Sequence, residues 1–188
     1  MTREQWLQKM IEALRPLFRR HDAEIPEHIR ASCGWPSHGA TAKRGRCVGE
    51  CWSSKRSADG HYELFVSPVL SDSIEVLGTL VHELVHTVVG TDCGHKAPFR
   101  RVALAVGLEG KMSESSVGEE LALQLEGLIE RIGHYPHATL SPSTKDKKQT
   151  TRLLKATCPN CGYLVRVTRK WLDVGLPTCP CGNVMSAV

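Results

Sequence analysis

Residues 72–90 read Asp72-Ser-Ile-Glu-Val-Leu-Gly-Thr-Leu-Val-His82-Glu83-Leu-Val-His86-Thr-Val-Val-Gly90. Asp72 is placed to cap a helix, with Glu75 three residues on, and Gly90 is placed to end it in a left-handed conformation. Ile74, Leu77, Val81, Leu84 and Val88 recur at spacings of three and four and form a buried stripe, while Thr79, His82, Glu83 and His86 fall on the neighbouring face. His82-Glu83-Leu84-Val85-His86 is an H-E-x-x-H motif. Four residues is just over one helical turn, so both imidazoles leave one face and can share a metal ion, with Glu83 offset toward water at that metal. The plainer alternative is an exposed polar face that happens to carry two histidines. Leu84 and Val85 argue against it, because they pin the helix into a core and put His82 and His86 at its edge.

A catalytic metal site needs a third protein ligand and one open position. His95 is the first choice: the chain must reverse in the turn from Gly90 to Gly94 and can return an imidazole there. Asp92 competes, since metzincin-type sites carry their third ligand six residues after the second histidine, but Val89 stands where those sites need Gly. A later carboxylate such as Glu109 is a third option.

Outward from the motif, Thr2 and Gln5 stand at capping-box spacing, and Leu7, Met10, Ile11, Leu14, Leu17 and Phe18 share a stripe, so Thr2 to Phe18 reads as a core-facing helix that Pro16 bends or ends. Ile29 to Cys33, Val48 to Trp52 and Tyr62 to Ser67 are short strands bounded by Gly, Pro and Ser. Further helices are expected from Pro98 to near Gly107 and from about Gly118 to Ile132. Pro136 to Thr150 is polar, basic and proline-containing, as a linker is.

The chain of 188 residues has 8 Cys and 9 His but only 5% aromatic residues, more sulfur and imidazole than packing needs. No apolar run nears the roughly 18 residues of a membrane span, and no secretory signal opens the chain. Paired cysteines at metal-knuckle spacing fit a reducing compartment, so a cytoplasmic location is expected. The net charge of +4 is uneven: Met1 to Tyr135 carries 16 Lys and Arg against 18 Asp and Glu, and Pro136 to Val188 carries 8 against 2.

That basic tail holds Cys158-Pro-Asn-Cys161-Gly and Cys179-Pro-Cys181-Gly, with 17 residues between the pairs. Each half looks like a zinc knuckle, in which Pro and Gly shape a turn that aims backbone amides at thiolate sulfur, and four thiolates make a closed, structural site. A 38-residue segment needs such a staple in place of a large core. Between the knuckles, Tyr163 to Trp171 alternates apolar and basic residues as a hairpin strand would. Arg152, Lys155, Arg166, Arg169 and Lys170 could contact phosphates and Trp171 could stack on a base; alternatively Trp171 covers the ribbon core and the charges are merely solvated. Cys33, Cys47 and Cys51, with His38 or His61, are spaced too irregularly to favour a further metal site over buried thiols.

The H-E-x-x-H motif, followed by Gly94-His95 and then Phe99, resembles the SprT-like zinc metallopeptidases, which include the Spartan-type proteases of DNA–protein crosslink repair. Lys96 stands where that family commonly has a second Gly after the histidine. The resemblance implies an α+β fold: a minimal zincin-like domain of helices and a small antiparallel sheet over residues 1–135, a basic linker at 136–150 and a zinc ribbon at 151–188. It also implies two Zn2+ ions, one catalytic at His82, His86 and His95 and one structural at Cys158, Cys161, Cys179 and Cys181. The function expected is a zinc-dependent endopeptidase with Glu83 as general base, acting on nucleic-acid-associated proteins and binding DNA, single-stranded DNA favoured. The alternative is a non-proteolytic nucleic-acid-binding or transcription-associated zinc protein on the same fold. The substrate is expected to lie as an added strand along Tyr62 to Ser67, with His61, Tyr62, Arg100 and Tyr135 as open choices for an oxyanion stabiliser.

Overall fold

In the computed structural model, which describes residues 1–142 and 152–187, the Thr2 hydroxyl accepts from the Gln5 N–H at 3.2 Å and the Gln5 side chain accepts from the Thr2 N–H at 2.9 Å. This reciprocal box starts α1 (Arg3–Arg19), which buries Trp6, Leu7, Met10, Ile11, Leu14 and Phe18. The helix runs on through Pro16 instead of ending there. Pro16 is exposed, while Leu17 and Phe18 hold the last turn in the core.

Two compact units make up the chain, Met1–Ser143 and Thr144–Val188. In the first, β1 (Ile29–Cys33), β2 (Gly49–Trp52) and β3 (Tyr62–Val66) form a sheet of order β1-β3-β2. The sheet is mixed rather than antiparallel: β3 runs antiparallel to β2 but parallel to β1, in the register Ile29 opposite Tyr62. The cause is the long connection at residues 34–48, which carries the chain past the central position and lets β3 return beside β1. With β3 in the centre, the Tyr62 to Ser67 segment has no free edge for a substrate; the edges are β1 and β2.

The motif helix, α2 (Ser73–Val89), starts at Asp72, whose carboxylate accepts from the Ile74 and Glu75 N–H groups at 2.9 Å each. It ends at Gly90, where φ is 84° as expected but ψ is 141°, an extended exit rather than a left-handed turn. Leu77, Leu80, Val81 and Leu84 are fully buried between the sheet and the helices α1, α3 (Ala97–Ala105) and α4 (Glu119–Ile132). A small ladder of β4 (Leu108–Glu109) and β5 (Ser116–Val117) lies beside α2. Val117 comes so close that a Cβ on Gly78 would sit 2.5 Å from its Cγ2, and the glycine is what permits that approach.

Residues 136–140, expected to begin a linker, are bound to the first unit. His137 Nε2 lies 2.9 Å from the Pro68 carbonyl, the Leu140 N–H donates to the same oxygen at 2.8 Å, and the Thr139 hydroxyl donates to Ser71 Oγ at 2.7 Å. These anchors are polar, and a hydrophobic pattern cannot announce them. Residues 143–150 of the expected linker, and Thr151, lie outside the described residues.

The second unit is a sheet of order β7-β6-β8, from β6 (Leu153–Thr157), β7 (Leu164–Thr168) and β8 (Ser186–Ala187), with one helical turn α5 (Arg169–Leu172). Its buried core is Ala156, Cys158, Cys179 and Met185, flanked by Val165 and Val167. The strand expected to reach Trp171 stops at Thr168, where alternation gives way to the consecutive charges of Arg169 and Lys170. Among the described residues no helix is long and apolar enough to cross a membrane. The architecture is α+β.

Candidate functional site

Three imidazoles converge at the edge of the first core. His82 Nε2 lies 3.0 Å from His95 Nε2, and His86 Nε2 lies 3.3 Å from it. Hydrogen bonding alone cannot satisfy three converging ring nitrogens, because a neutral imidazole has one N–H to give. Four donors around a tetrahedral ion at about 2.0–2.1 Å stand roughly 3.3–3.4 Å apart, so the observed spacing suits a shared metal ion. Burial pushes His82 down to about 3 and His86 to about 4, with the neighbouring imidazoles adding to it, and burial lowers His95 as well. All three are therefore neutral at pH 7, each with a lone pair that a metal ion could take.

The chain delivers the third histidine through Gly94, whose φ of 51° and ψ of −138° no side chain adopts readily. Lys96 needs no such freedom. It caps α3 in extended geometry, φ −74° and ψ −171°, so the departure from a Gly-His-Gly pattern leaves the path of His95 intact. Asp92 points to solvent with its carboxylate 3.8 Å from Lys55 Nζ, and Glu109 stands exposed on β4. Phe99, fully buried, lies under all three imidazoles at centroid distances of 4.4 to 4.9 Å. Phe99→Ala should cost about 3–5 kcal/mol in a denaturant titration and loosen metal held by the histidines.

Glu83 is 5% exposed, and among the described residues no hydrogen bond holds its carboxylate. Burial pushes its pKa up to about 8, with the nearby Glu50 adding to the shift. A buried, unpartnered carboxyl beside three converging imidazoles is poised to take up a proton. Its seat depends on Gly49: a Cβ there would collide with the Glu83 carboxylate and come within 2.6 Å of Thr79 Cγ2, so only glycine lets β2 lie this close to α2. A glycine inside a short strand was the available signal.

The cleft over these residues has a volume of about 690 Å³ and is lined by β2 at Gly49, Glu50 and Cys51, by His38 and Arg46 before it, and by Ser115 opposite. Glu50 is held by the Ser37 N–H at 2.8 Å and by the Ser37 hydroxyl; burial pushes its pKa up, but these bonds, helped by Trp52 and His38, bring it below the usual range. His61, Tyr62, Arg100 and Tyr135 do not line the cleft; Tyr135 instead packs on Trp6 at 5.0 Å. Ser115 escaped the sequence reading altogether, and its Oγ lies 2.8 Å from His82 Nδ1.

In the second unit, Cys158 Sγ lies 3.5 Å from Cys181 Sγ, and Cys179 Sγ lies 3.4 Å from both Cys161 and Cys181. These separations far exceed a disulfide's roughly 2.05 Å and approach the about 3.8 Å edge of a tetrahedron with 2.3 Å metal–sulfur bonds. Both knuckles close through glycine: the Gly162 N–H donates to the Cys158 carbonyl at 3.0 Å and the Gly182 N–H to the Cys179 carbonyl at 2.8 Å, with φ of 74° and 87°. Asn183, through its side chain and backbone, brings Cys181 down to about 6. The four cysteines could hold a second metal ion. Cys33, Cys47 and Cys51 join no such group among the described residues.

Arg152, Lys155, Arg166, Arg169, Lys170 and Trp171 are all exposed. Lys155 stands directly opposite Arg166 across the β6–β7 pair, and Lys170 Nζ lies 5.0 Å from the Trp171 ring centroid. Trp171 is 57% exposed and does not cover the small core. Compared with models of protein families, with curated proteins and with solved structures, the chain shows no match. Its function is therefore argued from the geometry of the two centres.

Proposed function

We propose that the protein is a zinc-dependent endopeptidase resembling the SprT-like metallopeptidases, with zinc at His82, His86 and His95 and a second, structural zinc at Cys158, Cys161, Cys179 and Cys181. The observation that carries this reading is Glu83, because a purely structural histidine site has no use for a buried, unpartnered carboxyl beside it. Three neutral imidazoles and four thiolates are both donor sets that suit zinc. Bound at the histidines, zinc supplies a Lewis acid for the scissile carbonyl and lowers the pKa of the attacking water toward about 7.

Glu83 accepts the proton of that water and returns it to the leaving amine. Phe99 holds the three imidazoles from below and limits their rotation. An extended peptide pairs along the free edge of β2, which borders the cleft, and its backbone amides find partners there. The substrates are nucleic-acid-associated proteins, and the second unit brings the enzyme to them through its exposed basic residues and Trp171.

A second reading rests on that same surface: a protein that binds nucleic acid and does not cleave. Incubation with a DNA-binding protein, with and without single-stranded DNA, separates the two. Fragments that disappear with a chelator support the peptidase; binding without fragments supports the second reading. For binding itself, three to five phosphate contacts predict a log–log salt slope of roughly −2 to −3.5 on single strands, at about −0.7 per contact. Replacing Lys155 and Arg166 together by Gln should shallow that slope by about 1.4. An unchanged slope would remove the β6–β7 face from the interface.

A further inference from the structure

We propose that Ser115 is a positioning residue for the metal at the three histidines, an inference that rests on the metal-site part of the reading above. His82 Nδ1 lies 2.8 Å from Ser115 Oγ, while His82 Nε2 faces His95. A ring that gives its Nε2 lone pair to a metal must carry its proton on Nδ1, and Ser115 Oγ is placed to accept that N–H. The contact therefore sets both the ring angle and the tautomer in which His82 can ligate. Among the described residues, neither His86 nor His95 has a hydrogen bond at its Nδ1, so this constraint falls on one ligand of the three.

The fold holds Ser115 in place from two directions. It directly precedes β5, whose Val117 is drawn against α2 at Gly78, one helical turn before His82. The Gly118 N–H donates to the Gly107 carbonyl at 2.9 Å and closes the other end of the ladder. Gly118 itself leaves no room for a side chain, since a Cβ there would lie 2.8 Å from that same carbonyl oxygen. Ser115 thus stands on a clamped segment, and no rearrangement is needed to bring it to the ring.

The test is made on the full chain, with zinc as the probe. Affinity at the histidine site is read by competition with a chromophoric chelator, and the His82 tautomer by nitrogen-15 shifts of the imidazole. Ser115→Ala should weaken zinc at the histidine site by about 10- to 100-fold, leave the four-cysteine site unchanged and remove the preference for Nδ1–H in the metal-free ring. Ser115→Thr, which keeps the hydroxyl, should restore affinity to within about threefold. Unchanged affinity in Ser115→Ala, or failure of Ser115→Thr to restore it, overturns the proposal, as does a wild-type chain that takes no zinc at the histidines. None of these readouts uses cleavage. A chain that shows the Ser115 effect and cuts no protein sinks the peptidase reading alone, whereas one that cuts protein with Ser115→Ala at full zinc affinity sinks only this proposal.

Discussion

Replacing Glu83 by Gln is expected to lower protein cleavage by about 10² to 10⁴ while both metal ions stay bound. The amide fills the same space, so the close approach of Gly49 and Thr79 is undisturbed, yet it cannot accept a proton from water. The same substitution has a second readout in metal-stripped protein. The folded-state pKa of Glu83 is raised from its ordinary 4.5 to about 8, so in that interval the native state holds a proton that the unfolded chain has released. Stability from this group is complete below about pH 4.5 and is lost as pH rises through 8. His82 and His86, lowered from 6.5, act in the opposite direction below that pH, which leaves pH 6.5 to 8 as the window where Glu83 acts alone among these groups. Denaturant titrations of the stripped chain should show stability falling there by at most about 1.4 kcal/mol per pH unit, and Glu83→Gln should abolish the slope. Full cleavage by the Gln variant would end the assignment of Glu83 as the base.

The helices were legible because their signals are local. Thr2 with Gln5, and Asp72 with Glu75, mark starts through bonds made within one turn, and apolar spacing marks the buried face. The three strands of the first unit could also be read, but their order could not. Whether β3 pairs with β1 in parallel depends on how residues 34–48 carry the chain, and nothing in the strands' own composition encodes that route. For this reason a free edge expected on Tyr62 to Ser67 falls on the central β3, and the edges are β1 and β2.

At the site, the residues with a fixed spacing were legible: the two histidines one helical turn apart, and the two cysteine pairs with their glycines. His95 could be favoured over Asp92 because a glycine-bounded turn precedes it. Ser115 could not be found, since it acts through a contact with His82 across more than 30 residues and belongs to no motif, and the only trace of Gly49 is a glycine inside a short strand. The four residues left open as oxyanion stabilisers lie away from the cleft for a related reason. Tyr135 is a polar residue at the end of a helical segment, but its ring is taken up by Trp6 in the core.

The second large effect is expected from Cys158→Ser with Cys161→Ser: the second unit should lose its fold and the first should not. Among the described residues of that unit four are buried, and two of them are thiols, which leaves Ala156 and Met185 with the partly covered Val165 and Val167 as the apolar content of its core. Leu153, Leu164, Trp171, Val174 and Leu176 are exposed and contribute little burial. A core this small does not offset the conformational entropy of 36 ordered residues, 152–187. Metal binding to the four thiolates, worth about 10–16 kcal/mol in comparable small sites, then supplies most of the folding free energy. In an amide NMR spectrum the signals of residues 152–187 should collapse to random-coil positions, with one of two metal ions lost. The signals of residues 1–142 should stay dispersed, because their core of Trp6, Phe18, Leu77, Leu80, Leu84 and Phe99 includes none of the four cysteines. Retained dispersion in the second unit would mean that it folds without its metal, and the four thiols would then be packing residues in a ribbon held together by its strands.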